Sequence, residues 1–210
     1  MCSICPTVTA TNKDDYSREM DRVSGFSTRL HIDLMDKEFT GVESVSLMQA
    51  WWPEDKQIDL HIMYKRPEVH LETLVALKPD LVIIHAEAEC NFIKFCDELH
   101  AFGIKTGVAL LQETPVESMA DILEYFDHAL IFSGKLGHHG GRTDLGLLDK
   151  VAAVKAIQPD IEVSWDGGIN NEVAAPLCRG GVDVLNIGGY IQHADNPEEN
   201  YNILLAEVAE

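Results

Sequence analysis

Apolar positions along the chain fall into short β-branched runs at residues 4–8, 30–34, 58–62, 81–84, 104–110, 129–132, 161–165 and 182–187. They recur at roughly 25-residue intervals, the length of one strand, loop and helix. Between the runs the period changes. Thr114-Pro115-Val116-Glu117 offers an N-cap, a first-turn proline and a carboxylate that can reach back, and Val116, Met119, Leu123 and Phe126 then share one helical face. That spacing predicts an α-helix. Asn196-Pro197-Glu198-Glu199 opens a last helix in the same way, while Lys78-Pro79-Asp80 and Gln158-Pro159-Asp160 each close a helix ahead of a strand.

Eight alternating β and α units predict either a closed (β/α)8 TIM barrel or an open doubly wound sheet. The even spacing favours the barrel, and residues 9–13 hold no glycine for the G-x-G-x-x-G turn of a dinucleotide-binding sheet. No linker or low-complexity stretch divides the chain, so residues 1–210 read as a single barrel domain.

A barrel builds its active site at the carboxyl ends of its strands, so the polar group that closes each run becomes informative. Thr7 closes the first run, His31 and Asp33 lie in the second, His61 in the third, His85 and Glu87 follow the fourth, and Asp166-Gly167-Gly168 follows the seventh. His31 and Asp33 are two apart in an extended segment, so they share one face while Ile32 and Leu34 share the other. Two imidazoles and two carboxylates can complete the coordination of one divalent ion such as zinc, iron, manganese or cobalt. A single histidine in an apolar strand is more often a hydrogen-bonded core residue, but four such groups left unpaired would cost several kcal/mol.

Composition narrows the partners. With 46% hydrophobic and 24% charged residues over 210 positions, the chain has enough apolar surface for a core. Sixteen Lys and Arg against 35 Asp and Glu leave a net charge of -19, a field that repels nucleic acid and anionic membranes. A small anionic substrate is still admitted where backbone amides receive it at short range. No apolar run approaches a membrane span. The five cysteines, Cys2, Cys5, Cys90, Cys96 and Cys178, lack secreted-framework spacing and point to a reducing cytoplasm. Cys2 and Cys5 form a C-x-x-C, but no second pair or redox helix follows it.

At these positions the sequence resembles the ribulose-phosphate 3-epimerase family over residues 4–191. His31-Ile32-Asp33-Leu34-Met35-Asp36 resembles the family's H-x-D-x-M-D-G, and Asp59-Leu60-His61-Ile62-Met63 its D-x-H-L-M. His85-Ala86-Glu87-Ala88 is similar to H-x-E-A, Thr114-Pro115-Val116-Glu117 to T-P-x-E, and Trp165-Asp166-Gly167-Gly168-Ile169 to V-D-G-G-I, in the family's order. The resemblance implies a ribulose-phosphate-binding barrel in which His31, Asp33, His61 and Asp166 hold one divalent metal and Asp33 and Asp166 are the catalytic proton carriers. It further implies that Met35 and Met63 cover the reacting carbons. Thr7, Gly140, Gly141, Gly167, Gly168, Gly188 and Gly189 complete the expected substrate contacts, the glycine pairs after the seventh and eighth runs receiving the phosphate. The implied reaction inverts C3 of a ketose phosphate, D-ribulose 5-phosphate to D-xylulose 5-phosphate, in carbohydrate metabolism. The expected partners are that small molecule and further copies of the chain.

Three stretches depart from the pattern. After the second run the glycine of M-D-G becomes Lys37, and the V-P-N that follows becomes Thr40-Gly41-Val42. The first-strand P-S-I-L-S-A-D becomes Pro6-Thr7-Val8-Thr9-Ala10-Thr11-Asn12, and the sixth loop, M-x-V-x-P-G-F-G-G-Q in the family, becomes FSGKLGHHGGR at residues 132–142. Lys135, His138, His139 and Arg142 thereby bring cationic or protonatable groups to a very acidic chain. The altered loop keeps two alternatives in view, an epimerase for another ketose phosphate such as allulose 6-phosphate and a non-catalytic sugar-phosphate-binding barrel. A barrel that decarboxylates or aldol-condenses a sugar phosphate would carry D-x-K-x-x-D, and no lysine lies between His31 and Asp36.

Overall fold

The structure is a computed structural model that describes residues 2–137 and 141–209. Its strands are β1 (Ser3–Val8), β2 (Arg29–Met35), β3 (Gln57–Met63), β4 (Leu81–His85), β5 (Lys105–Leu110), β6 (His128–Phe132), β7 (Glu162–Asp166) and β8 (Val184–Ile187). All neighbours pair in parallel, and β8 pairs with β1 to close the barrel. Each strand coincides with one of the eight apolar runs to within two residues at either end.

The outer layer is made by helices α1 (Lys13–Ser24), α2 (Lys37–Thr40), α3 (Leu71–Leu77), α4 (Phe92–His100), α5 (Leu148–Ile157), α6 (Ala174–Arg179), α7 (Gly189–Gln192) and α8 (Pro197–Ala209). In α1 the Asn12 side chain accepts the Asp15 N–H, so the first turn is capped, and Tyr16, Met20 and Val23 bury a stripe against the barrel. Asn196 caps α8 as its sequence predicts, its Oδ1 accepting the Glu199 N–H at 3.3 Å.

The α-helix predicted after Thr114 does not form. Two 3-10 turns, Val116–Met119 and Leu123–Tyr125, take its place. Thr114 donates its hydroxyl to Glu87 instead of capping, and the cap position falls on Pro115, which has no side-chain acceptor. The apolar face survives, because Val116, Met119, Leu123 and Phe126 are all buried and spacings of three and four suit either helix type.

Residues alternate across each strand. Ile32 and Leu34 pack outward into the main core under the helices, whereas His31 and Asp33 face the lumen. Leu81, Ile83, Ala109, Leu130 and Phe132 form a separate apolar plug inside the barrel. Gly107 makes room for it, since a Cβ there would stand 3.0 Å from Ile83 Cγ1 and 3.2 Å from His128 Cβ. At the amino end of the lumen Arg29 bridges Asp59 (2.8 Å) and Glu162 (2.7 Å), and His128 reaches Glu162 (2.8 Å) and Ser164 (2.6 Å). The buried charges at this end are thus paired, as low dielectric demands.

The cysteine expectation needs one correction. Cys2 and Cys178 form a disulfide with their Cα atoms 5.7 Å apart, while Cys5, Cys90 and Cys96 are free. The pair lies 176 residues apart in sequence and meets where the barrel closes, which spacing alone does not reveal. No helix of the described residues is long and apolar enough to cross a membrane.

Candidate metal centre and active site

Four of the expected ligands converge at the carboxyl end of the lumen. The β2–β3 register sets Asp33 beside His61, and Asp166 ends β7, so one nitrogen or oxygen from each of His31, Asp33, His61 and Asp166 lies within 4.8 Å of the others. Asp33 Oδ1 is 3.2 Å from His31 Nε2 and 3.0 Å from His61 Nδ1. Asp166 Oδ2 stands 3.9 Å from the former and 3.8 Å from the latter. Both rings are fully buried.

Proton positions follow from the partners behind this cluster. Glu87 accepts the Leu111 N–H at 3.2 Å and the Thr114 hydroxyl, and its other oxygen lies 3.2 Å from His85 Nδ1. Burial raises the Glu87 carboxyl, but the bonds from His85 and Thr114 outweigh it and leave the group below its ordinary value. An ionised carboxylate only accepts, so His85 donates from Nδ1 and accepts at Nε2. His61 Nε2, 2.9 Å from His85 Nε2, must then donate, which turns the lone pair of His61 Nδ1 toward Asp33. Two acceptors 3.0 Å apart need a proton or a metal ion between them. His31 Nε2 is buried without a hydrogen-bond partner and faces the same place. The donor set therefore fits a divalent transition ion.

The electrostatics are uneven. Burial pushes the Asp33 carboxyl up, yet the adjoining His31 and His61 more than reverse this and hold it well below the usual carboxylate range. Burial and then the Asp33 charge raise Asp166. Burial presses the His61 imidazole down to about 4, so without a bound ion it is a neutral ring. On the side away from the rings, Thr9 Oγ1 donates to Asp33 Oδ2 at 2.7 Å, and the Thr9 N–H is held by Glu19 at 2.8 Å.

Above the cluster is a cavity of about 350 Å³ whose wall includes Thr7, Asp33, Met35, Met63, Gly141, Asp166, Gly167, Gly168, Gly188 and Gly189. Met35 and Met63 are register partners and nearly buried, so their thioethers form one apolar wall beside the carboxylates. His31 and His61 lie beneath this surface. Gly140 lies outside the described residues, as do His138 and His139.

The sixth loop joins the site through the backbone. Ser133 N–H donates to the Asp166 carbonyl at 2.7 Å, Gln112 Nε2 holds the Ser133 carbonyl at 2.7 Å, and the Thr143 hydroxyl donates to the Gly167 carbonyl at 2.9 Å. Gly167 and Gly168 have φ of +114° and +72°, and a Cβ on either would overlap the backbone of Gly134 or Thr143. Lys135 is the single Lys or Arg among the described residues that line the cavity. Tyr190, His193 and Asn186 also line it, and sequence reasoning missed all three along with Thr9. Asn186 carried a signal, a polar residue in an otherwise apolar run, whereas Thr9 sits in a polar turn where nothing marks it.

Comparison with known proteins agrees with this geometry. The ribulose-phosphate 3 epimerase family matches residues 3–192. A ribulose-phosphate 3-epimerase of Mycobacterium tuberculosis is 30% identical over 203 residues, covering 92% of this chain and 87% of its own. That of Schizosaccharomyces pombe is 26% identical, covering 93% and 89%. Among solved structures, 3-hexulose-6-phosphate synthase from Salmonella typhimurium superposes with a TM-score of 0.73 at 14% identity, covering 99% of this chain and 98% of its own. A tryptophan synthase α-subunit mutant from Pyrococcus furiosus gives 0.74 at 14% identity, with coverage of 99% and 98%. At that identity these two show the barrel fold alone. Motif order, the four-residue cluster and a match over nearly the whole length together place this chain in the ribulose-phosphate 3-epimerase family.

Proposed function

We propose that the chain is an isomerase that inverts C3 of a ketose phosphate, interconverting D-ribulose 5-phosphate and D-xylulose 5-phosphate. The observation that carries this reading is that Asp33 and Asp166 both belong to the metal-fitting cluster and both line the one cavity above it. A binding module would need ligands for an ion; it would not need two carboxylates opening onto the same cavity.

In this reading His31, Asp33, His61 and Asp166 hold the divalent ion, zinc, iron, manganese or cobalt, which when bound stabilises negative charge on the substrate's carbonyl and neighbouring oxygens. One aspartate removes the C3 proton from one face, and the other, protonated, delivers a proton to the opposite face, so the centre inverts. Thr9 keeps Asp33 Oδ2 oriented while His31 and His61 adjoin Oδ1. Met35 and Met63 exclude water from the reacting carbon without offering a competing charge. Backbone amides at Gly167, Gly168, Gly188 and Gly189 receive the phosphate, which suits a chain whose overall field repels anions.

Asp166→Asn tests the assignment. Asparagine keeps an oxygen for the ion but carries no proton at neutral pH, so epimerisation should fall by about 10² to 10⁴ while metal content stays near that of the native protein. Proton exchange with deuterated solvent should persist from the epimer served by Asp33 and nearly cease from the other. A variant that keeps its metal and epimerises at the native rate sinks the two-carboxylate mechanism. A native enzyme that exchanges no C3 hydrogen in any ketose phosphate sinks the function.

A further inference from the structure

Asn186 lies on β8 in the wall of the cavity, is 1% exposed, and has hydrogen-bond partners for neither its Oδ1 nor its Nδ2. Thr7 Oγ1, on the adjoining strand β1 and in the same wall, is also buried and unpartnered. A buried amide without partners works against folding, because it gives up bonds to water and gains none. A valine would fill such a place in an apolar strand without that cost. The residue therefore calls for a ligand.

Its position says which part of a ligand. Asn186 is the register partner of Asp166, so the amide stands beside the carboxylate that serves the reacting carbon. Two and three residues further along the chain come Gly188 and Gly189, on the side assigned above to the phosphate. We infer that Asn186 is a substrate-binding and specificity-determining residue, which pairs with the hydroxyl on the carbon between the reacting carbon and the phosphate-bearing end, the C4 hydroxyl of a ketopentose 5-phosphate. A secondary hydroxyl both donates and accepts, and so does a carboxamide, so one hydroxyl can bond to either unpartnered atom of the amide, with Thr7 Oγ1 unpartnered in the same wall. This rests on the epimerase reading for the orientation of the substrate.

The test sets Asn186→Val beside the native enzyme in three measurements. Ligand-free melting should not fall, since the substitution removes unpaired polar atoms. kcat/KM for D-ribulose 5-phosphate should drop by about tenfold, the loss expected for one hydrogen bond to a neutral group, while kcat/KM for its 4-deoxy analogue should be the same in both proteins. The dissociation constant of D-ribitol 5-phosphate, an unreactive polyol that keeps the hydroxyl, should rise by a similar factor. Equal losses on the full and the 4-deoxy substrate, or no loss on either, overturn the inference. Should Asn186→Val melt well below the native protein, Asn186→Ala, which adds no bulk, carries the same comparisons. If the native enzyme exchanges no substrate hydrogen, the epimerase reading fails by itself and the ribitol phosphate decides about Asn186: unchanged or undetectable native binding refutes it, and weakened binding in the variant upholds it.

Discussion

Glu87→Gln probes the candidate metal centre through two intervening imidazoles, His85 and His61. The Leu111 N–H can only donate, so a glutamine at this position keeps its oxygen toward Leu111 and turns its NH2 toward His85. His85 Nδ1, now facing a donor, must accept, and its proton moves to Nε2. His61 Nε2, 2.9 Å away, then loses its acceptor, and the His61 proton moves to Nδ1, the nitrogen that faces Asp33 at 3.0 Å. A metal would have to displace that proton, and the charge that strengthens the imidazole as a ligand is gone as well. Loss of such supporting groups costs about 10- to 100-fold in metal affinity, or roughly 1.4 to 2.7 kcal/mol. The assay is competition with a chelator of known affinity at neutral pH, with nitrogen NMR of the histidines in the metal-free protein to locate the proton. Glu87→Gln changes neither a first ligand nor a group that lines the cavity. An unchanged metal dissociation constant, or a His61 proton found on Nε2 in both proteins, would refute the relay.

Two further outcomes follow from the packing and the charges. Gly168→Ala should destabilise the protein by more than the roughly 1 kcal/mol of an ordinary backbone effect and raise KM, because φ is +72° and the new methyl meets the backbone of Arg142 and Thr143; a native melting temperature and KM would show that the sixth loop gives way freely. Burial raises the Glu162 carboxyl, but bonds and charge from His128 and Arg29 more than reverse this, so its folded value lies well below the ordinary 4.5. A depressed carboxylate stabilises the fold at pH above its unfolded value and loses that contribution as pH falls from about 4.5 through the folded value, so denaturant titrations should show a native acid slope there that Glu162→Gln flattens; parallel slopes would remove Glu162 from the acid transition.

Much of this was legible because a barrel repeats one physical problem eight times. Each strand is covered outside by helices and filled inside by side chains, so its sequence is apolar throughout, and the residue that ends it at the carboxyl side has to do something else. His31, Asp33, His61 and Asp166 stood out as polar groups in that setting and do converge. His85 and Glu87 stood out equally but received no role, because strand position does not say that one imidazole stacks behind another. The helix after Thr114 was misread because a capping hydroxyl and a hydroxyl committed to a distant carboxylate look alike along the chain. The Cys2–Cys178 pair was hidden for a related reason, its partners meeting only when the last strand returns to the first.

The departures from the family pattern are not scattered over the barrel. The strands that carry the metal-fitting residues, β2, β3 and β7, keep all four of those residues and both methionines, and β4 keeps the histidine and glutamate that stand behind them. The altered positions fall on β1, on the turn after it, on the segment from Lys37 to Val42 after β2 and on the sixth loop; Thr7, Thr9 and Lys135 line the cavity, and Thr40 and Val42 stand where a Cβ on Gly137 of the loop would meet them. In the proposed reaction, chemistry at the reacting carbon depends on the ion and on two carboxylates whose positions tolerate little change, since a displacement of about 1 Å can cost a hundredfold. Recognition of the remainder of the substrate depends on hydrogen bonds and charge that different side chains can supply from different points of the wall. A hydroxyl at Thr9 that holds Asp33, a cation at Lys135 and an unpartnered amide at Asn186 are therefore the residues by which substrate preference in this chain should differ from that of its relatives, while the step of inversion stays the same.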